Sequence, residues 1–153
     1  MRNMQVAQDK QRLDNLFKHI KDFSGDVELQ AYWAQFLCVL ASGFIENSIR
    51  NLYSEYARTK SSPNVANYVS HELQSFQNAK SEKIIQITGI FNPEWRTTLE
   101  AYMEDKRRAA IDSIVNNRNQ IAHGRPVGIT YARLCEYYES SVEVISFVDG
   151  LLR

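Results

Sequence analysis

Arg118, Asn119 and His123 stand close together in "NNRNQIAHGRP", residues 116–126. These side chains have the chemistry to handle a phosphodiester. A guanidinium grips phosphate with two parallel hydrogen bonds, and an imidazole exchanges protons near neutral pH. That pair is enough to cleave RNA without a metal. The same letters also describe how a helix stops: histidine in the last turn, Gly124 just past the end and Pro126 soon after. Arg118 separates the two readings. At about 100° per residue, Ile111, Ile114, Val115, Arg118, Ile121 and Ala122 form one stripe, with the arginine where a leucine is expected. A charge left unpaired in a packed interior is costly, so this stripe must meet a carboxylate, an anionic ligand or a water-filled cleft.

Asn116, Asn119 and His123 fall on the adjacent face at spacings of three and four. Arg118 and His123 are splayed by about 140° on an ideal helix. They converge if the helix loosens near Gly124, or if two copies of the helix meet across a two-fold axis. The second geometry is preferred, because Ala122 and Gly124 are small enough for close approach. Two acids are candidate supports. Glu46, one turn before Arg50, either makes an ordinary helical ion pair or reaches across to Arg118 or His123. Asp112 lies on the same helix as the motif, on a face turned away by about 120°. Lys106, Arg107 and Arg108 are either a solvated face or a guide for an RNA backbone. His19 and His71 have no partners at ligand spacing, so no metal and no cofactor is expected.

The elements that must position these groups are helices. Only three prolines and six glycines interrupt apolar residues at three and four spacing. Helices are expected over residues 9–23, with Leu13, Leu16, Phe17 and Ile20 inward, and over 27–58 after a break at 24–26. The span 33–40 is apolar almost all round and should be buried against several neighbours, and Gly43 should mark a close backbone approach. "SSPN" starts another helix, with Val65, Tyr68, Val69 and Leu73 in register. "SEKIIQITG" is read as a short helix because it has no partner strand. Asn92 and Pro93 open a helix over 93–103, the motif helix covers 104–123, and a last helix covers 130–152 with Leu134, Tyr138, Val142, Ile145 and Val148 inward. Tyr131, Tyr137 and Tyr138 are placed in the core rather than against bases. The expectation is an all-α, up-and-down bundle around one long central helix, in a single domain over 1–153 with its core at about 27–152.

Composition excludes several classes. Hydrophobic residues are 44% and charged residues 24%, a folding globular balance, and the formal net charge of zero provides no general attraction to polyanions. Cys38 and Cys135 sit in apolar stretches with no pairing framework, "FLCVLASGFI" is too short to span a bilayer, and "MRNMQVAQDKQR" lacks a secretory apolar block. A cytoplasmic protein without membrane attachment is expected.

"RNQIAH" also resembles the Arg-Asn-x-x-x-His motif of the HEPN superfamily, and "FLCVLASGFIENSIR", "FNPEW" and "DSIVNNRNQIAHG" look like its prokaryotic toxin and phage-defence branch. The resemblance covers roughly residues 30–150. It implies an all-α bundle and a homodimer with paired motifs at the interface, acting on RNA as a metal-independent ribonuclease. Arg118 would hold the scissile phosphate, His123 would act as general base or acid, and Asn119 would orient the imidazole or the phosphate. Products would carry 2′,3′-cyclic phosphate and 5′-hydroxyl ends. A toxin of this kind implies an antitoxin or defence partner. The resemblance equally covers members that serve as non-catalytic nucleotide-binding or assembly modules.

Overall fold

Asp26 turns its carboxylate onto the backbone N–H groups of Glu28 and Leu29. That cap starts α2 (Val27–Lys60), a 34-residue helix around which the rest is laid. The computed structural model describes residues 1–22 and 25–153. Six further helices complete the described residues: α1 (Met4–Lys21), α3 (Pro63–Leu73), α4 (Ser81–Phe91), α5 (Pro93–Tyr102), α6 (Lys106–Ala122) and α7 (Tyr131–Leu151). The all-α expectation holds, and no strand occurs among the described residues.

Most boundaries follow from local chemistry. Asn92 caps α5 at Glu94 with Pro93 in its first turn, Thr130 caps α7 at Arg133, and Pro63 opens α3. Two starts differ from the sequence reading. α1 begins at Met4 rather than at 9, because the Asn3 side chain accepts from the Val6 N–H. α6 begins at Lys106 rather than at 104, because Asp105 has φ 50°, which no right-handed helix accommodates. Of the expected break at 24–26, Ser24 lies outside the described residues, as does Phe23 at the expected end of the first helix.

α2 packs against α1, α3, α6 and α7, and α4 lies against α5. Its inward face carries Leu37, Cys38, Ala41, Ile45, Ile49 and Tyr53, fully buried against residues such as Ile111 and Ile114 of α6 and Leu134 and Ile145 of α7. Burial of this kind is what makes the helices stable, since propensity alone holds short helices poorly in water. Three expectations of burial fail. Leu16, Val65 and Tyr68 are exposed, leaving Val6, Leu13, Phe17 and Ile20 to anchor α1 and Ala66 and Leu73 to anchor α3. Within 33–40, Ala34, Leu37 and Cys38 are buried, but Phe36 and Val39 face outward. Gly43 has no atom within 4 Å of where a Cβ would stand, so among the described residues nothing approaches it closely. The misses within α2 share a cause: the neighbours cover one side of that helix, while the apolar sequence of 33–40 runs all round it.

Tyr138 is buried and stacks on Phe17 at 4.6 Å while its hydroxyl donates to Asp14, whereas Tyr131 and Tyr137 are half-buried. No described helix is long and apolar enough to cross a membrane.

Candidate functional site

α6 presents Ala110, Ile111, Ile114 and Val115 to the interior, and Arg118 continues that stripe one turn later. The helix meets α2 here, with the Cys38 thiol donating to the Ile114 carbonyl at 3.5 Å and receiving the backbone N–H of Arg118. Burial pushes the Cys38 thiol up from 9.0 to about 12. It is a packing group at neutral pH, with no thiolate to act as a nucleophile.

The Arg118 side chain is half-buried, and among the described residues it pairs with no carboxylate. Its one hydrogen bond is to the Asn119 side-chain oxygen, at 3.0 Å. Asn119 therefore orients the guanidinium within the chain, not the imidazole. The remaining guanidinium N–H groups are left for water or a ligand.

Beyond Ala122 the backbone stops as a Schellman turn. Gly124 has φ +67°, its N–H donates to the Ile121 carbonyl at 3.0 Å, and the Arg125 N–H reaches back to the Gln120 carbonyl at 2.9 Å. The helix-stop reading of "AHGRP" is thus geometrically complete. It does not displace the site reading, because the stop uses backbone groups and the φ of Gly124 and leaves the side chains of Arg118 and His123 unused. His123 is the C-cap, exposed, and hydrogen-bonded through its side chain to nothing among the described residues. It makes no hydrogen bond with Arg118. α6 holds regular geometry to Ala122, so loosening near Gly124 does not bring the two together in one chain. Asn116 is exposed beside them and likewise makes no side-chain hydrogen bond among the described residues.

The supporting acids work elsewhere. Glu46 accepts from Arg50 at 2.9 Å and from the backbone N–H of Asn78 at 2.9 Å, while Arg50 donates to the carbonyls of Gln74 and Phe76. Asp112 accepts from the N–H of Ser81 at 2.8 Å and from its hydroxyl at 2.9 Å, capping the start of α4 from a neighbouring helix. Both carboxylates therefore fasten the connection between α3 and α4, including Asn78 with its φ of 52°, and neither reaches the motif. Lys80, at the N-cap position, makes no side-chain cap, which is why α4 depends on Asp112. Asp112→Ala should lower the unfolding free energy by about 1–2 kcal/mol, the usual value of a lost cap. Urea titration followed by far-ultraviolet circular dichroism measures it, and a midpoint equal to wild type would show that the cap contributes nothing.

The basic cluster also stands apart. Arg107 pairs with Glu143 and lies over the Tyr102 ring, Arg108 pairs with Glu82, and of the three only Lys106 has no acidic partner among the described residues. The cluster opens α6 whereas His123 closes it, about 25 Å away along the helix. A cation that the sequence reading passed over stands much nearer. Arg125, exposed and paired with no acid among the described residues, follows the motif directly and donates weakly to Gln120 at 3.4 Å. Its signal in the sequence is its place in "HGRP", two residues after the motif histidine. Among the described residues no group of three His, Cys, Asp or Glu side chains is placed to hold a metal ion.

The sequence model of the RiboL-PSP-HEPN family matches residues 5–153. No curated protein and no solved structure matches significantly.

Proposed function

The chain belongs to the RiboL-PSP-HEPN family and thus to the HEPN superfamily, and from that premise we propose that it is a metal-independent endoribonuclease working as a homodimer. The observation that carries this reading is the half-buried guanidinium of Arg118, free of any acid among the described residues and aimed by Asn119, five residues before an exposed imidazole. Arg118 binds the scissile phosphate and offsets the charge that grows on its oxygens. His123 takes the proton of the adjacent ribose 2′-hydroxyl as that oxygen attacks phosphorus, and an imidazolium returns a proton to the departing 5′-oxygen. The bond to the 5′-oxygen breaks, leaving a 2′,3′-cyclic phosphate and a 5′-hydroxyl. Helical spacing splays Arg118 and His123 by about 140°, and a cleft assembled from two copies brings an arginine and a histidine together. Arg125 adds a flanking phosphate contact, and the zero net charge leaves selectivity to substrate shape or to a partner.

In the cell the enzyme acts in the cytoplasm as the toxic arm of a toxin–antitoxin or anti-phage system, held in check by a partner protein. The alternative is a non-catalytic nucleotide-binding or assembly module. In its favour, no side chain among the described residues orients His123. Incubating purified protein with total RNA in excess EDTA separates the two. The nuclease yields fragments whose 3′ ends resist poly(A) tailing until the cyclic phosphate is removed. Retention of RNA without any cleavage supports the module.

A further inference from the structure

Asn51, Ser54 and Arg58 recur at spacings of three and four along the last turns of α2, and Asn67 and Ser70 stand one turn apart on α3. Together with the start of α1 and the end of α7 they line a groove of about 1010 Å³, at the upper end of the size of small-molecule sites. This groove is remote from the motif. The backbone N–H of Arg118 meets α2 at Cys38, and Ser54 lies 16 residues further on, about 24 Å along the helix. The polar groups of the groove are unused within the chain. A serine inside a helix ordinarily returns its hydroxyl to the carbonyl one turn back, as Ser141 does to Tyr137 at 2.8 Å. Ser54 and Ser70 make no such bond, and the amides of Asn51 and Asn67 make no side-chain hydrogen bond among the described residues.

Charge supplies two kinds of contact. Arg2, Arg58 and Arg153 bring three guanidinium groups to the groove, and among the described residues only Arg58 has an acid, its neighbour Glu55. Asp149 is the other acid in the lining and is only 9% exposed. Its Oδ2 accepts from the backbone N–H of Arg2 at 2.6 Å. Its Oδ1 has no partner among the described residues, where no fully buried side-chain oxygen is left unbonded, so Oδ1 opens onto the groove. A carboxylate oxygen accepts hydrogen bonds and repels phosphate, whereas a guanidinium attracts it. A ligand that satisfies both carries an anion at one point and a hydrogen-bond donor at another. We propose that this groove binds a ribonucleotide, free or within an RNA strand, at a place separate from the cleavage motif. Arg2 and Arg153 take the phosphate, and a ribose hydroxyl donates to Asp149 Oδ1. The base edge pairs with the amides of Asn51 and Asn67, each of which offers a donor and an acceptor, over the apolar floor of Leu52 and Ala66. Within a strand the 2′-hydroxyl is the donor that RNA has and DNA lacks, so the open carboxylate oxygen favours RNA.

The test uses full-length His123→Ala protein in EDTA, so that RNA stays uncut. It is titrated with a short fluorescein-labelled single-stranded RNA and with DNA of the same sequence, followed by anisotropy, and with adenosine monophosphate, followed by calorimetry. Arg2→Glu and Asn67→Asp, both at exposed positions, are expected to raise the dissociation constant roughly tenfold or more with circular dichroism unchanged. Asp149→Asn keeps an oxygen for the Arg2 N–H and turns the open acceptor into a donor, and it is expected to bring RNA binding down to that of DNA. Binding of adenosine monophosphate that the groove substitutions weaken assigns the free nucleotide as a ligand, and binding of RNA alone assigns the strand. Binding of neither probe overturns the proposal, as does binding that folded Arg2→Glu and Asn67→Asp proteins retain in full, which would place the RNA at the motif. Cleavage by the wild type is read separately. Weakened binding in the groove variants with no RNA cut by wild type keeps the groove and removes the nuclease, and unchanged binding with RNA cut by wild type does the reverse.

Discussion

His123→Ala is expected to abolish RNA cleavage while leaving the protein folded and dimeric. Positioned general acid–base groups contribute about 10²–10⁴-fold, so the loss should fall in that range or beyond it if both copies serve one phosphodiester. Stability should barely move. The imidazole is exposed and makes no hydrogen bond among the described residues, and the helix stop depends on the backbone of Gly124 and Arg125 rather than on this side chain. The largest stabilising term at risk is the attraction of an imidazolium for the helix C-terminus, about 0.3–1 kcal/mol at low salt. Initial cleavage rates on one RNA, read beside thermal melting of the same samples, provide the check. Full activity in a folded His123→Ala protein removes the imidazole from the mechanism, and unfolding would make it structural.

Arg118→Leu separates function from stability in the opposite direction. Leucine completes the apolar stripe of Ile111, Ile114, Val115 and Ile121, replacing a guanidinium that no acid among the described residues compensates. Unfolding free energy is expected to stay level or to rise by about 1 kcal/mol, in keeping with buried charges that are neutral or costly relative to apolar residues of similar size. Cleavage should fall by about 10²–10³-fold, the size of effect seen when one group stabilising a developing oxyanion is removed. A gain in stability joined to a loss of activity marks a residue retained for chemistry. If Arg118→Leu instead lowers stability by several kcal/mol, the arginine is part of the packing. If cleavage persists, the phosphate is held elsewhere, with Arg125 the nearest substitute. Arg118→Lys keeps the charge but loses the two-pronged geometry, and intermediate activity is expected of it.

Helix type and most helix starts were legible in the sequence because they depend on neighbours in the chain. Asn92 with Pro93, Thr130, and Gly124 followed by Pro126 act within a few residues, and each falls where its spacing placed it. Depth within the bundle was less legible. An apolar residue such as Phe36 or Tyr68 reads the same whether a neighbour covers it or not, and both are exposed. Glu46 and Asp112 show the limit most clearly. Their spacing along the helices gave no sign of Asn78 or Ser81, which are 32 and 31 residues distant and reach them only through the packing of α2, α4 and α6.

By itself the sequence determined an all-α chain with Arg118, Asn119 and His123 at the end of a late helix, since helical periodicity, capping and turn chemistry are short-range. Only the tertiary structure decided which charged groups were already occupied. It tied Glu46, Asp112, Arg107 and Arg108 to partners from elsewhere in the chain and left Arg118 without an acid and His123 in solvent. The physical reason is that ion pairs and burial depend on distances through space, which helix packing sets and the order of residues does not display.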